Sequence, residues 1–172
     1  MIKTFYTDGA CKGNPGPGGF GVVEIVTVYR ETYTDYIESS SIGFKHSEFC
    51  DETTNNREEL KAILTVFELA AADPDNQYII YSDSSYAVNI INDWIFTWAK
   101  NNWINSKGNQ VENLDLILNL YKYATINFFN CQVKKIKGHV GEIGNELADA
   151  LATNNLVKYN KILNENYILE NN

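Results

Sequence analysis

Close to its N-terminus the chain reads Tyr6-Thr7-Asp8-Gly9-Ala10-Cys11-Lys12-Gly13-Asn14-Pro15-Gly16-Pro17-Gly18-Gly19. An apolar run leads into Asp8, and residues rich in Gly, Pro and Asn follow it. The pattern predicts a strand over 3–7 and an irregular loop over 8–19. Sites in α/β proteins form where strands end. Asp8 is therefore a candidate functional residue, although Asp-Gly after a strand is also typical of a simple turn.

The segments that follow alternate between strand-like and helix-like patterns. Residues 20–29 and 32–44 are rich in Val, Ile, Thr and Tyr and predict a hairpin, with 45–53 as a loop or an extension of it. From Asn55 to Ala72 apolar residues recur at helical spacing, with Thr54 or Asn55 as N-cap and Asp73-Pro74 as the stop. The other predicted elements are a strand over 77–82, helices over 86–91, 92–103 and 111–123, a strand over 130–136 and a helix over 143–155.

This order of elements predicts an α/β fold in which a mixed sheet of five strands has helices on both faces. A chain of 172 residues fits one domain. We assign that domain to residues 1–155 and leave the structure of the Asn-rich tail over 156–172 unassigned.

Composition narrows the class of protein. The 13% of aromatic residues exceeds what disordered chains carry, so a packed core is expected. No apolar run approaches the roughly 20 residues that span a bilayer, and the first residues lack a signal-peptide pattern. Three separated cysteines fit neither a disulfide framework nor a zinc site. We therefore expect a cytoplasmic monomer with free thiols and no membrane contact.

The formal net charge of -8 argues at first against a nucleic-acid partner, because such proteins usually carry a basic surface. The charge is unevenly distributed, however. Residues 24–76 hold 4 Lys and Arg against 12 Asp and Glu, whereas the rest of the chain holds 10 against 10. The whole acidic excess therefore belongs to one segment and not to the entire surface.

Four carboxylates occupy positions at the edges of predicted elements. They are Asp8 at a strand end, Glu59 early in a helix, Asp83 after the strand over 77–82, and Asp149 on the last predicted helix. A cluster of carboxylates without His or Cys is a hard oxygen site, suited to Mg²⁺ or Mn²⁺ and poorly suited to zinc. Two such ions about 4 Å apart can catalyse an in-line phosphoryl displacement. Phosphodiester hydrolysis is the natural inference.

The motifs around these carboxylates resemble, in order and with compatible spacing, those of the type 1 ribonuclease H family. The likeness spans residues 1 to about 155. The stretches that carry it are Tyr6 to Gly19, Thr54-Asn55-Asn56-Arg57-Glu58-Glu59-Leu60, Ser82-Asp83-Ser84-Ser85-Tyr86, and Lys137-Gly138-His139-Val140-Gly141 with Asn145-Glu146-Leu147-Ala148-Asp149.

The resemblance implies an endonuclease that hydrolyses the RNA strand of RNA/DNA hybrids and leaves 5′-phosphate and 3′-hydroxyl ends. Asp8, Glu59, Asp83 and Asp149 are expected to hold two Mg²⁺ ions, with Mn²⁺ as a possible substitute. His139 is expected to assist proton movement or product departure, since an imidazole titrates near neutrality.

The resemblance also implies contacts to both strands of the hybrid. The backbone from Gly9 to Cys11 and the side chain of Glu59 are expected to touch RNA. Neutral donors are expected to grip a DNA-strand phosphate, a contact that positions without reading sequence. The donors expected at this phosphate are Asn14, Thr54 and Asn55. The other expected substrate contacts are Ser85, Trp94, Trp98 and Asn145.

Three departures from the family pattern qualify these expectations. Glu58 stands where the family often has an apolar residue, and Ser85 stands where many relatives have Gln. Trp94, Trp98 and Trp103 repeat the spacing of a basic protrusion in the bacterial enzymes, yet residues 84–113 hold 2 Lys against 2 acids. Weaker substrate binding with a shallower salt dependence is therefore predicted.

Two other functions remain as alternatives. The first is a hybrid-binding module that has lost catalysis, whose usual signature is the loss of one carboxylate. The second is a related polynucleotidyl transferase, such as a resolvase or a 3′-exonuclease, which should lack the Asn-Asn-Arg-Glu-Glu and Lys-Gly-His contexts.

Overall fold

The computed structural model describes residues 1–31, 33, 36–138 and 141–170. The strands are β1 Ile2–Cys11, β2 Gly16–Glu31, β3 Tyr36–Thr53, β4 Gln77–Ser82, β5 Cys131–Lys135 and β6 Leu169–Glu170. The helices are α1 Asn55–Ala72, α2 Ser85–Asn89, α3 Ile95–Lys100, α4 Leu114–Ile126, α5 Ile143–Ala152 and α6 Leu156–Glu165, with one π-helical turn at Ile90–Trp94 between α2 and α3.

The strands form one mixed sheet in the order β5-β4-β1-β2-β3-β6. β1 to β3 are a meander of antiparallel strands, whereas β4 runs parallel to β1 and β5 runs parallel to β4. The α/β class and the mixed sheet are confirmed. The sheet has six strands where five were predicted, because the short β6 pairs parallel with β3 at Ser41 and Ile42.

Each face of the sheet has its own apolar core. The larger core lies between the sheet and α1 to α4, around Phe5, Phe67 and Ile80. The smaller core lies on the opposite face under α5 and α6. Alternation along β1 divides its side chains between them, since Phe5 belongs to the first core and Tyr6 packs against the second. Helices therefore cover both faces, as predicted.

The predicted loop over 8–19 is wrong at both ends. β1 continues through Asp8 to Cys11, and β2 begins at Gly16, because Asp8 to Cys11 pair with Gly18 to Gly21 across the antiparallel ladder. Ladder hydrogen bonds need backbone alone, so the small residues here support strand pairing in spite of their weak strand propensity. The segment 45–53 is the extension of the hairpin, since it belongs to β3.

The tail, for which no structure was predicted, forms α6 and β6. The buried side chains of Tyr159, Ile162 and Leu163 pack α6 into the smaller core beside α5. Asn155 caps the helix, because its side chain accepts a hydrogen bond from the backbone N–H of Lys158 at 2.9 Å. In the described residues, no helix has the length and apolar character needed to cross a bilayer.

Candidate active site

Asp8 and Asp83 meet because β1 and β4 are parallel neighbours. The register places Thr7 opposite Ser82, so Asp8 on β1 lies beside the point where β4 ends and Asp83 begins the next turn. Ser84 follows as the N-cap of α2, accepting from the N–H of Ala87 at 3.2 Å. Both carboxylates therefore lie at the end of the sheet where the parallel pairing of β1 and β4 stops. Sites in α/β folds form at this end of parallel strands.

Glu59 reaches the same edge from the first turns of α1. Thr54 caps this helix by accepting from the N–H of Arg57 at 3.3 Å. A Cβ at position 9 would lie 2.3 Å from the backbone nitrogen of Glu59, so only glycine allows β1 and α1 to approach this closely. That approach brings the buried Glu59 carboxylate against Asp8.

The carboxylates of Asp8, Glu59 and Asp83 converge, with one oxygen of each lying within 4.8 Å of the others. Asp8 and Glu59 are each only 7% exposed. Burial and the nearby charges of Asp83 and Asp149 raise the pKa of Asp8 to about 7. Burial and the charges of Asp8 and Asp83 raise the pKa of Glu59 to about 9. Three acids in this arrangement need protons or cations to balance them.

The donor set fits a hard divalent cation. The three convergent groups offer carboxylate oxygens, the ligands that Mg²⁺ and Mn²⁺ prefer. Glu59 Oε2 and Asn145 Oδ1 are buried and have no hydrogen-bond partner among the described residues. A buried acceptor without a donor is costly, and a cation with its water shell would satisfy both oxygens.

Asn145 lies on the inner side of α5 and is 1% exposed. Its Nδ2 donates to Asp83 Oδ2 at 3.2 Å. The amide therefore orients the Asp83 carboxylate, while its own Oδ1 is buried without a partner among the described residues.

Asp149 comes to the cluster from α5 but is not one of the three convergent acids. A Cβ at position 21 would lie 2.2 Å from the backbone oxygen of Ala148, so glycine on β2 lets α5 rest on the sheet. Asp149 is near enough that its charge raises the pKa of Asp8. Its Oδ2 forms an ion pair with Lys158 Nζ of α6. The structure thus places Asp149 beside the cluster with a cation of its own.

The three residues expected at a DNA-strand phosphate are brought together. Asn14 is exposed, and its Oδ1 accepts from the N–H of Asn55 at 3.0 Å, next to the cap residue Thr54. The first turn of α1 is a favourable place for an anion, since the helix dipole is positive there.

The thiol of Cys11 contacts two backbone carbonyl groups of the protein. Its Sγ donates to the carbonyl oxygen of Thr53 at 3.2 Å and that of Gly16 at 3.4 Å. Gly9 and Cys11 both lie on β1, directly before the loop that carries Asn14.

The protrusion, defined as residues 84–113, carries the tryptophans and Ser85. Trp94 is 40% exposed, and its ring lies 5.6 Å from that of Trp98. Trp98 and Trp103 pack against the larger core. Ser85 is exposed at the start of α2. The aromatic platform open to a ligand is therefore chiefly Trp94. His139 lies outside the described residues.

Two site-adjacent features were not predicted from the sequence. One is Lys158, which lay in the tail without assigned structure. The other is the role of Glu58, which is 1% exposed and turns away from the carboxylate cluster. Its Oε1 accepts from Thr53 Oγ1 and from Lys61 Nζ, each at 2.6 Å. The lysine at i+3 was the available signal that Glu58 could be paired instead of exposed.

Comparisons with known proteins identify the family of this chain and solved structures of similar fold. The family model described as RNase H matches residues 2–157. The chain is 41% identical over 164 residues to the ribonuclease H of Caldanaerobacter subterraneus subsp. tengcongensis, covering 93% of this chain and 94% of that protein. Two solved structures are similar in fold. LC9-RNase H1, a type 1 RNase H with the type 2 active-site motif, has a TM-score of 0.67 at 26% identity and covers 89% of this chain and 71% of its own. LC11-RNase H1 in complex with RNA/DNA hybrid has a TM-score of 0.58 at 23% identity and covers 91% of this chain and 97% of its own.

Proposed function

Because the chain belongs to the ribonuclease H family, we propose that it is an endonuclease that hydrolyses the RNA strand of RNA/DNA hybrids. The expected products carry 5′-phosphate and 3′-hydroxyl ends. The observation that carries the proposal is the convergence of Asp8, Glu59 and Asp83 within 4.8 Å at the sheet edge. Such a cluster has no structural benefit of its own, because packing like charges together is unfavourable without cations.

Asp8, Glu59, Asp83 and Asp149 are the proposed ligands of two Mg²⁺ ions, with Mn²⁺ able to replace them. The ions supply positive charge at the attacking and leaving oxygens of the phosphodiester. Glu59 Oε2 and Asn145 Oδ1 support this assignment, since both are buried acceptors without a partner among the described residues; Glu59 belongs to the cluster, and Asn145 donates to Asp83.

The remaining residues position the substrate. The backbone of Gly9 and Cys11 and the side chain of Glu59 face the RNA strand, while Asn14, Thr54 and Asn55 hold a phosphate of the DNA strand. Ser85, Trp94 and Trp98 extend the contact along the hybrid. Asn145 orients Asp83 and a water. His139 is the proposed carrier of a proton near neutral pH.

We also propose that the protein is a cytoplasmic monomer. The cysteines Cys11, Cys50 and Cys131 are all free thiols, as expected in a reducing compartment. Light scattering at several protein concentrations tests the monomer directly, and a mass that rises with concentration would exclude it.

The test of the activity is cleavage of a labelled RNA/DNA hybrid in Mg²⁺, next to matched RNA and DNA duplexes and single strands. Asp83→Asn should reduce the rate by at least about a hundredfold, because it removes one ligand charge. Asp75→Asn is the matched control, since Asp75 is an exposed acid remote from the cluster. Cleavage of the hybrid by neither the wild type nor the control, or equally by all three, would refute the proposal. Binding of the hybrid without cleavage would point to the non-catalytic module.

A further inference from the structure

Among the four acids of the proposed site, Asp149 is set apart by its partner. Its Oδ2 pairs with Nζ of Lys158, nine residues later in the chain. The salt bridges of the described residues include no Lys or Arg partner for Asp8, Glu59 or Asp83. The cation of Lys158 therefore neutralises one particular carboxylate of the cluster.

The fold dictates where Lys158 lies. It is the third residue of α6, and its backbone N–H is fixed by the Asn155 cap at 2.9 Å. The next residue, Tyr159, is buried in the smaller core and prevents rotation of the helix. A lysine in the first turn of a helix is disfavoured by the helix dipole. The ion pair with Asp149 counteracts that effect and holds the ammonium group beside this carboxylate.

We propose that Lys158 is an internal counter-ion of Asp149 that competes with a divalent cation for this carboxylate. It thereby sets the metal concentration at which the site fills completely. The inference rests on the proposed function, because it takes Asp149 to be a metal ligand. An ammonium group and a divalent cation on the same carboxylate repel each other, so occupancy by one weakens occupancy by the other.

The ion pair of Lys158 with Asp149 is exposed enough for a divalent cation to displace the ammonium group from the carboxylate. The side chains of Lys158 and Asp149 are 39% and 22% exposed, so the ammonium group can turn into water when a metal ion arrives. Partly exposed pairs of this kind change an affinity by about two- to fivefold. Among the described residues, no Lys or Arg forms an ion pair with the carboxylates of Asp8, Glu59 or Asp83, so the proposed effect concerns the cation that uses Asp149.

The test is a titration of the metal-free protein with Mn²⁺ in the absence of nucleic acid. The electron paramagnetic resonance signal of free Mn²⁺ measures how much of the ion is bound. Lys158→Gln should bind the Asp149-dependent ion about two- to fivefold more tightly than the wild type. Lys161→Gln is the matched control, because Lys161 lies on the same helix, is 70% exposed and only approaches Glu165 at 3.7 Å. It makes the same change in net charge and should leave Mn²⁺ binding unchanged.

Two further variants make the result specific. Lys158→Arg retains the charge and should bind Mn²⁺ as the wild type does. In an Asp149→Asn background, Lys158→Gln should have no effect. Thermal unfolding in the presence of a chelator verifies that each variant is folded.

The proposal is overturned if Lys158→Gln binds Mn²⁺ no better than Lys161→Gln, or binds it more weakly than the wild type. The second result would mean that Lys158 orients Asp149 for the metal instead of competing with it. Failure of the proposed function would give a different result, because the wild type would then leave the hybrid uncut in Mg²⁺. A wild type that cleaves the hybrid while Lys158→Gln and Lys161→Gln behave alike refutes this inference alone.

Discussion

At the scale of single residues, the buried acids Asp8 and Glu59 link metal binding to pH. Burial and neighbouring carboxylates raise their pKa values to about 7 and about 9, from ordinary values of 3.8 and 4.5. An acid whose pKa is higher in the folded state stabilises the fold below its unfolded pKa, and that stability is lost as pH rises through the folded pKa. The stability that these two acids contribute is therefore lost progressively between about pH 4 and about pH 9.

We predict that the metal-free protein loses at least about 1 kcal/mol of unfolding free energy between pH 5 and pH 8.5 because these acids must ionise close together. Saturating Mg²⁺ should restore much of this loss, since it binds the ionised form. Urea unfolding with chelator or with Mg²⁺ measures both effects.

The Glu59→Gln variant should flatten this pH dependence, because it removes the acid with the higher pKa. Glu68→Gln is the control, since Glu68 is an exposed acid on the same helix. An equal pH dependence in Glu59→Gln and Glu68→Gln would show that the carboxylate cluster is not its origin.

At the scale of elements, the seating of α5 on β2 determines where Asp149 lies. A methyl group at position 21 would lie 2.2 Å from the backbone oxygen of Ala148 and 2.7 Å from Cβ of Leu151. We predict that Gly21→Ala lifts α5, destabilises the fold by about 1–3 kcal/mol, and weakens Mn²⁺ binding severalfold. Chemical denaturation and Mn²⁺ titration, both well below the melting temperature, measure the two effects.

Leu151→Ala is the control, because it should lower the stability of the fold without moving α5 away from the sheet. It removes buried side-chain volume under the same helix and should cost about 2–5 kcal/mol, but it does not push α5 away from the sheet. Mn²⁺ affinity should therefore fall more in Gly21→Ala than in Leu151→Ala. The reverse order would show that Asp149 is not held by the approach of α5 to Gly21.

The same elements show what the sequence could and could not predict. Residues 55–72 were predicted correctly as α1, because apolar periodicity, the Thr54 cap and the Asp73-Pro74 stop are all local signals. β1 was predicted to end before Asp8, since its continuation depends on pairing with a distant Gly-rich strand. α6 was missed because its stability comes from packing Tyr159, Ile162 and Leu163 into the smaller core, which a local pattern does not reveal.

The limits were similar at the site. Four short motifs were enough to select Asp8, Glu59 and Asp83, which the structure brings together. The pairing of Asp149 with Lys158 depends on how two helices pack, so it could not be derived while the tail had no predicted structure. Glu58 was likewise recognised only as a departure, and its buried contacts to Thr53 and Lys61 became visible in three dimensions.

At the scale of the whole molecule, the distribution of charge supports catalysis at the carboxylate cluster better than it supports tight binding of nucleic acid. The excess of acids lies in residues 24–76, which span the second half of β2, all of β3 and α1. The protrusion holds 2 Lys against 2 acids. Because neutralised phosphates supply much of the affinity for nucleic acid, we expect few counterions to be released when this protein binds a hybrid.

We predict that affinity for an RNA/DNA hybrid depends only weakly on salt and that one added cation on the protrusion steepens the dependence. Thr97→Lys places a lysine on an exposed position of α3 beside Trp98 and should increase the log–log salt slope by roughly 1. Tyr33→Lys makes a similar change in net charge at the exposed, distant hairpin and should leave the slope unchanged. Fluorescence anisotropy in the Asp83→Asn background, between low and moderate salt, measures binding without cleavage. Equal slopes in Thr97→Lys and Tyr33→Lys would show that the protrusion does not contact the hybrid, and a steep slope in the protein without either lysine would show that its neutral charge does not limit binding.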